Sequence, residues 1–323
     1  LGPDEILTIP DTWVLHHGDE LVRPRVAYRL DGPADAPVVA ALGGISAHRR
    51  VAGDKGVAWW PTVVGPGLAL DTRRYRVLGI DYLGGTGDSS TSDGMRNFPP
   101  VSAYDQAAAL AAVVRHLGLA TLHAIVGASY GGMVALAFAA RHAALLERLV
   151  VLSAADRPRA LSTAWRCIQR QIVREALERG DGPGGLRLAR ALAMTTYRSA
   201  AEFAERFGSA PRRAGERYRF AVEDYLFARG DSYIQRYRPE SFLALSESID
   251  LFEVDAAQVR TPATLFAVRD DLLVPLADMH AFAGRLGGRY RLYESDSIFG
   301  HDAFLKEGAA LKPILEQALT EAI

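Results

Sequence analysis

The ten residues Ala124-Ile125-Val126-Gly127-Ala128-Ser129-Tyr130-Gly131-Gly132-Met133 constrain this chain more than any other segment. They read as a buried strand, a Gly-x-Ser-x-Gly turn and the start of a helix. A strand that reverses into a helix within so few residues leaves no room for side chains flanking the turn. Glycine at 127 and 131 removes the Cβ atoms that would obstruct it. Ser129 is therefore expected at the tip of a sheet, its hydroxyl exposed beside the partial positive charge of the helix start. Taken alone, the pentapeptide also fits a strand-turn-helix that merely contains serine, so the order of the surrounding elements must decide.

Residues 14–17 and 21–30 read as two early strands joined by Gly18-Asp19, an antiparallel hairpin at a sheet edge. The apolar runs 37–42, ending in Gly43-Gly44, and 75–83, ending in Gly84-Gly85, have the character of central strands. Ala107, Leu110, Val114 and Leu117 recur at helical spacing within 103–117. The strand into Ser129, a helix over about 131–146 and a strand at 149–154 follow. This alternation implies a mostly parallel α/β sheet with right-handed crossovers. From 156 to 252, helical stretches at 162–177, 186–197, 200–207 and 217–229 succeed one another without a convincing strand, the first two parted by the breaker run 180–185. A helical cap inserted after the sixth strand is expected. The sheet resumes at 263–268, followed by a helix at 276–286, a strand at 290–294 and a last helix at 309–319. The organisation is thus a core split into 1–155 and 253–323, with the cap, 156–252, sharing its cooperative unit.

That is the α/β-hydrolase arrangement, in which the acid follows a late strand and the histidine follows the last one. Asp271, in the turn Asp271-Leu272-Leu273-Val274-Pro275 after strand 263–268, fits the acid, with Asp270 as its local rival. His301, in Phe299-Gly300-His301-Asp302, fits the base. A serine hydroxyl is a weak nucleophile at neutral pH, so an imidazole must take its proton and a carboxylate must hold the imidazole's tautomer. The other histidines lie early in the chain or on helices and match no such placement. Oxyanion donors are expected from the N–H of Tyr130 and from backbone at Gly44 and Ile45, in the loop after strand 37–42.

Composition narrows the alternatives. Hydrophobic residues make up 49% and charged residues 23%, as in soluble globular proteins, and no apolar run approaches the ~20 residues of a membrane helix. A net charge of -1 gives no electrostatic footprint for nucleic acid. Cys167 is the only cysteine, which excludes an internal disulfide and a cysteine zinc site, and no signal peptide is visible. A cytoplasmic enzyme without a metal or tightly bound cofactor is expected.

Several further segments carry a family resemblance. Trp59-Trp60, Val64-Gly65-Pro66-Gly67, Leu70-Asp71-Thr72, Gln169-Arg170, Thr196-Tyr197-Arg198-Ser199, Arg206-Phe207, Glu223-Asp224-Tyr225-Leu226 and Gly300-His301-Asp302-Ala303-Phe304-Leu305 resemble the homoserine O-acyltransferases of the α/β-hydrolase fold, the MetX type. The resemblance spans most of the chain. It implies ping-pong transfer through acyl-Ser129 in methionine biosynthesis, with acyl-CoA as co-substrate and L-homoserine as acceptor. It further implies Arg198 on the acceptor carboxylate, Asp302 on its ammonium and a homodimer formed through the cap helices. Tyr130 stands where acetyl-transferring members tend to have methionine, the loop 43–50 departs from their pattern, and the chain is shorter. In these respects it is more similar to the compact succinyl-transferring members, and Ser46, His48, Arg49 or the Tyr130 hydroxyl are candidates to receive the extra carboxylate. A serine O-acyltransferase, or an esterase or thioesterase with the same triad, is the alternative.

Overall fold

Eight strands form the central sheet of this computed structural model, which describes residues 2–54, 56–91, 98–208 and 210–323. They are β1 (Asp4–Thr8), β2 (Arg25–Asp31), β3 (Val38–Leu42), β4 (Arg76–Ile80), β5 (Ala124–Ala128), β6 (Leu149–Leu152), β7 (Ala263–Val268) and β8 (Tyr290–Ser295). Their spatial order is β1-β2-β4-β3-β5-β6-β7-β8, antiparallel at β1/β2 and β2/β4 and parallel thereafter. Helices α1 (Ala103–His116) and α2 (Tyr130–Arg141) flank the sheet. The cap helices α3 (Ala160–Glu178), α4 (Gly182–Tyr197), α5 (Ala200–Arg206), α6 (Ala221–Ile234) and α7 (Pro239–Asp250) follow β6. Then α8 (Leu276–Ala283) links β7 to β8, and α9 (Ala303–Lys306) and α10 (Gly308–Thr320) close the chain.

Strands β3, β5, β6 and β7 are buried throughout because both faces of the sheet are covered. Period-two alternation divides their side chains between two cores. Leu42, Ile125, Val151 and Leu265 join Leu110 of α1 and Phe138 of α2 on one side. Ala41, Val126, Leu152 and Phe266 join Leu311 and Leu315 of α10 on the other. Cap residues Val173, Leu186, Tyr233, Phe242 and Leu245 belong to the first of these clusters, so the cap packs continuously onto the core.

Three local differences from the sequence reading have physical causes. Of the early hairpin, Trp13–Val14 pairs with Glu20–Leu21 outside the main sheet, whereas most of the expected strand 21–30 enters that sheet as β2, beside the edge strand β1. Asp4–Thr8 is mostly exposed and lacks the alternation that would announce a strand. The breaker run does part α3 from α4, with Gly180 at φ +77°, but its second part, from Gly182, is already the first turn of α4. The Asp181 carboxylate accepts the Gly184 N–H at 3.1 Å, and Pro183 sits where a helix has no use for a donor. Finally, 217–229 is not one helix: Arg212–Ala214 and Arg217–Arg219 form a hairpin around Gly215, and α6 begins only at Ala221.

The start of α2 packs tightly on the end of β3. Gly131 donates its N–H to the Gly43 carbonyl at 2.8 Å, and a Cβ at Gly131 would stand 2.3 Å from the Leu42 carbonyl oxygen. Neither partner is a flexible side-chain end, so Gly131→Ala must push two backbones apart. It is expected to cost roughly 1–3 kcal/mol. Gly44→Ala, whose Cβ would meet nothing within 4 Å, should leave stability unchanged. Thermal unfolding of the two variants checks the contrast.

Candidate active site

Ser129 lies between β5 and α2 with φ +54° and ψ -121°, a left-handed backbone that a side chain rarely adopts. Its N–H is held by the Leu152 carbonyl at 2.9 Å. A serine at the N-cap of a helix ordinarily turns its hydroxyl back onto the first-turn amides. Here no such bond forms, and the strained φ directs the hydroxyl away from the helix.

The hydroxyl meets His301. Ser129 Oγ is 2.8 Å from His301 Nε2, and His301 Nδ1 is 2.7 Å from Asp271 Oδ2. A carboxylate only accepts, so the imidazole proton lies on Nδ1 and Nε2 is left to accept from the serine. The other oxygen of Asp271 accepts the N–H groups of Leu273 (2.8 Å) and Val274 (2.9 Å), which anchors the turn after β7. Asp270, the rival, is exposed. Burial pushes the His301 pKa down, but the Asp271 carboxylate, with a smaller contribution from Asp302, more than offsets it, and the net shift is upward. Gly300, at φ +53°, lets the histidine loop lie against the cap: a Cβ there would stand 3.0 Å from the Ser199 nitrogen.

Buried phenols surround the loop after β3. Tyr82 donates to the Gly43 carbonyl (2.8 Å), Tyr237 to the Ile45 carbonyl (2.7 Å), and the Tyr233 hydroxyl is 2.9 Å from Ser46 Oγ. Burial raises the pKa of all three tyrosines, so they remain protonated. With the carbonyls of Gly43 and Ile45 engaged in this way, the loop carrying the Gly44 and Ile45 amides stands beside the α2 terminus, where the Tyr130 N–H has no helical carbonyl to bond. The Trp59-Trp60 pair, stacked with centroids 4.8 Å apart, braces both sides of the site. Trp59 covers Gly43, and Trp60 Nε1–H donates to the Phe304 carbonyl at 2.8 Å, just beyond His301.

The acceptor residues implied by the resemblance lie together but are mutually engaged. Arg198 Nε is 3.1 Å from Asp302 Oδ2, and its Nη1 reaches Glu202 at 3.2 Å; Arg198 is buried. Ser199 ties the same segment to the histidine loop by donating to the Ile298 carbonyl at 2.6 Å. Sequence reasoning missed Arg190. Its guanidinium lies 5.0 Å from the ring centre of Tyr197 and 4.6 Å from that of Tyr233, and it pairs with no carboxylate among the described residues. The Tyr197 ring is in turn 6.1 Å from that of His301. The available signal was spacing, since Arg190 stands seven residues before Tyr197 on one face of α4.

The cavity at Ser129 and His301 is also lined by Tyr130, Gln169, Arg166 and Tyr197. Ser46, His48 and Arg49 are not among the residues that line it, nor are Arg190, Arg198 and Asp302. Arg49 is consumed by Asp4, Asp81 and Asp88, Ser46 by Tyr233, and His48 Nδ1 accepts the Arg50 N–H at 3.3 Å. Tyr130 does line the cavity, but its hydroxyl is 2.6 Å from Ser248 Oγ in α7. Among the described residues no cluster of three or more His, Cys, Asp or Glu side chains is placed to hold a metal ion, and no helix is long and apolar enough to cross a membrane.

Fold and site together define a serine enzyme of the α/β-hydrolase class, and residues 42–307 match the family described as alpha/beta hydrolase fold. The homoserine O-succinyltransferase of Xanthomonas campestris pv. campestris is 44% identical over 300 residues, 91% of this chain and 79% of that protein. The L-serine/homoserine O-acetyltransferase of Streptomyces lavendulae is 34% identical over 347 residues, 93% and 92% of the two chains. The homoserine O-acetyltransferase structure from Bacillus anthracis superposes with a TM-score of 0.89 over 100% of this chain and 99% of that one; at 18% identity, this shows a common fold. The chain belongs to the homoserine O-acyltransferase family of the α/β-hydrolase fold.

A raised His301 pKa has two consequences of defined sign. The imidazolium–Asp271 pair stabilises the fold below the unfolded pKa of 6.5, and that contribution is lost as pH rises through the higher folded value. Acylation of Ser129, which needs neutral His301, should instead increase with pH, its midpoint lying above 6.5. Asp302→Asn should move that midpoint down by removing a neighbouring negative charge. A pH profile of single-turnover acylation without acceptor measures both, and a wild-type midpoint at or below 6.5 would contradict the assignment.

Proposed function

We propose that this chain is an acyl-CoA-dependent L-homoserine O-acyltransferase, with succinyl favoured over acetyl as the group transferred. The observation that carries the reading is the hydrogen-bonded line Ser129–His301–Asp271 with Asp302 beside the base and an unpaired arginine one aromatic ring away. The 44% identity to a homoserine O-succinyltransferase supports both the acceptor and the donor.

In the first half-reaction Ser129 Oγ attacks the thioester carbonyl while His301 Nε2 takes its proton. The Tyr130 amide and the Gly44–Ile45 loop amides receive the oxyanion. The C–S bond then breaks, and His301 returns the proton to the departing CoA thiolate. In the second, the acceptor's side-chain hydroxyl gives its proton to His301 and attacks the acyl-serine, and the proton passes back to Ser129 as the ester is released.

Holding that hydroxyl against His301 requires an anchor for each charge of the amino acid. Asp302 is the anchor for the ammonium. Arg190 suits the carboxylate better than Arg198, because its guanidinium is not already paired, whereas Arg198 acts by aligning Asp302. Leu161, Ile168 and Leu188, exposed on α3 and α4, offer an apolar surface for a homodimer. A cytoplasmic enzyme of methionine synthesis is the setting that this reading implies.

A CoA-release assay crossing succinyl-CoA and acetyl-CoA with L-homoserine and L-serine tests the reading. Release should accelerate strongly with homoserine and be fastest with succinyl-CoA; release at the same rate without acceptor would make the protein a thioesterase. Arg190→Leu should raise the homoserine KM roughly 10- to 100-fold while acyl-enzyme formation persists. An unchanged KM would return the carboxylate to Arg198.

A further inference from the structure

The cavity that ends at Ser129 has a cationic wall that the triad does not use. It is built on α3 and α7. Arg166 Nε and Nη2 donate to Asp250 Oδ1 at 2.9 and 2.6 Å, and Arg170 Nη1 donates to Asp250 Oδ2 at 2.6 Å and to the Ser246 carbonyl at 3.0 Å. The Thr163 hydroxyl adds a bond of 2.6 Å to Oδ1. The side chains of Arg166, Arg170 and Asp250 are only 12, 7 and 9% exposed.

Two guanidinium groups against one carboxylate leave a net charge of +1 in a desolvated place. Neither arginine forms another ion pair among the described residues. An uncompensated buried cation is unfavourable, and binding of an anion relieves it. The geometry leaves an open edge for one. Arg166 lines the cavity together with Ser129 and His301, and its Nη1 makes no hydrogen bond among the described residues. Gln169, one turn further along α3, is buried, lines the same cavity, and its amide likewise has no protein partner there. Met133, Ile249, Leu273 and Val274 supply an apolar lining for a methylene spacer. The outer end differs: Arg157 and Arg159 are about half exposed and are offset by Asp156, Glu253 and Asp278.

We propose that Arg166, assisted by Gln169, binds the distal carboxylate of a dicarboxylic acyl group carried on Ser129, so that this wall selects succinyl-type donors over acetyl. The proposal rests on the acyl-transfer reading and adds the residues that choose the acyl group. It also separates two carboxylates: Arg166 takes that of the donor, and Arg190, on α4, that of the acceptor. Arg166 lowers the His301 pKa through space, in keeping with a guanidinium facing the same chamber.

The test compares wild type, Arg166→Met and Gln169→Leu. Acylation of Ser129 by succinyl-CoA or acetyl-CoA is followed by intact mass without acceptor, and kcat/KM for each donor is measured with homoserine. The succinyl-to-acetyl ratio should fall roughly 10- to 100-fold in Arg166→Met and several-fold in Gln169→Leu, with acyl-enzyme yield falling in parallel for succinyl alone. An unchanged ratio in both variants, equal losses on both donors, or a raised homoserine KM with no change in ratio would each overturn the assignment. Should Arg166→Met fail to fold, the ratio in Gln169→Leu decides. A wild type labelled by neither thioester would overturn the acyl-transfer reading itself, an outcome distinct from a labelled wild type with insensitive variants.

Discussion

The contact between the first turn of α2 and the last residue of β3 is the constraint on which the site depends. Gly131 lies against the Leu42 and Gly43 backbone, closer than any side chain permits. That one approach sets two things together. It leaves room for the left-handed turn at Ser129 just before it, and the Gly131–Gly43 hydrogen bond holds the Gly43–Ser46 loop at the terminus where the Tyr130 amide has no helical partner. In the proposed mechanism the nucleophile and the amides that receive the oxyanion are thus brought to one corner of the sheet before the reaction begins.

The cap completes this arrangement. Tyr233 and Tyr237 reach from the cap to Ser46 and the Ile45 carbonyl, while Ser199 holds the Ile298 carbonyl and Arg198 pairs with Asp302 on either side of His301. Each such buried bond contributes only about 1 kcal/mol. Their value lies in direction: the cap holds the Gly43–Ser46 loop from one side and the histidine loop from the other. A cap that is continuous with the core through Val173, Leu186 and Leu245 is part of the catalytic scaffold.

This division explains what could be read from the chain. Motifs that act through backbone, such as Gly127-x-Ser129-x-Gly131 and the turn at Asp271, are legible because only a few residues satisfy the required φ or the close approach. The parallel strands are equally legible as continuous apolar runs. Strand β1 was not, because an exposed edge strand needs no apolar pattern, and the breaker-like run 180–185 concealed a helix start capped by Asp181. The triad and the loop that supports it follow from order along the chain, whereas the charges do not. Arg49 resembles an anion ligand in sequence until Asp4, Asp81 and Asp88 are seen around it, and Arg190 and Arg166 resemble ordinary helix arginines until their partners are counted. Which cation is spent and which is available is a property of the tertiary structure.

In the proposed reaction, the fate of the acyl-serine rests on those available charges. The same triad hydrolyses when water reaches His301 first and transfers when an alcohol is already there. Asp302 follows the base in sequence and is aligned by Arg198; Arg190 stands behind Tyr197, one ring from the imidazole. An amino acid held between a carboxylate and a guanidinium brings its hydroxyl to the base at an effective concentration that bulk water cannot match. On this view a hydrolase and a transferase of this fold differ least at the three residues that react, and most in a few uncompensated charges held by the helices around them.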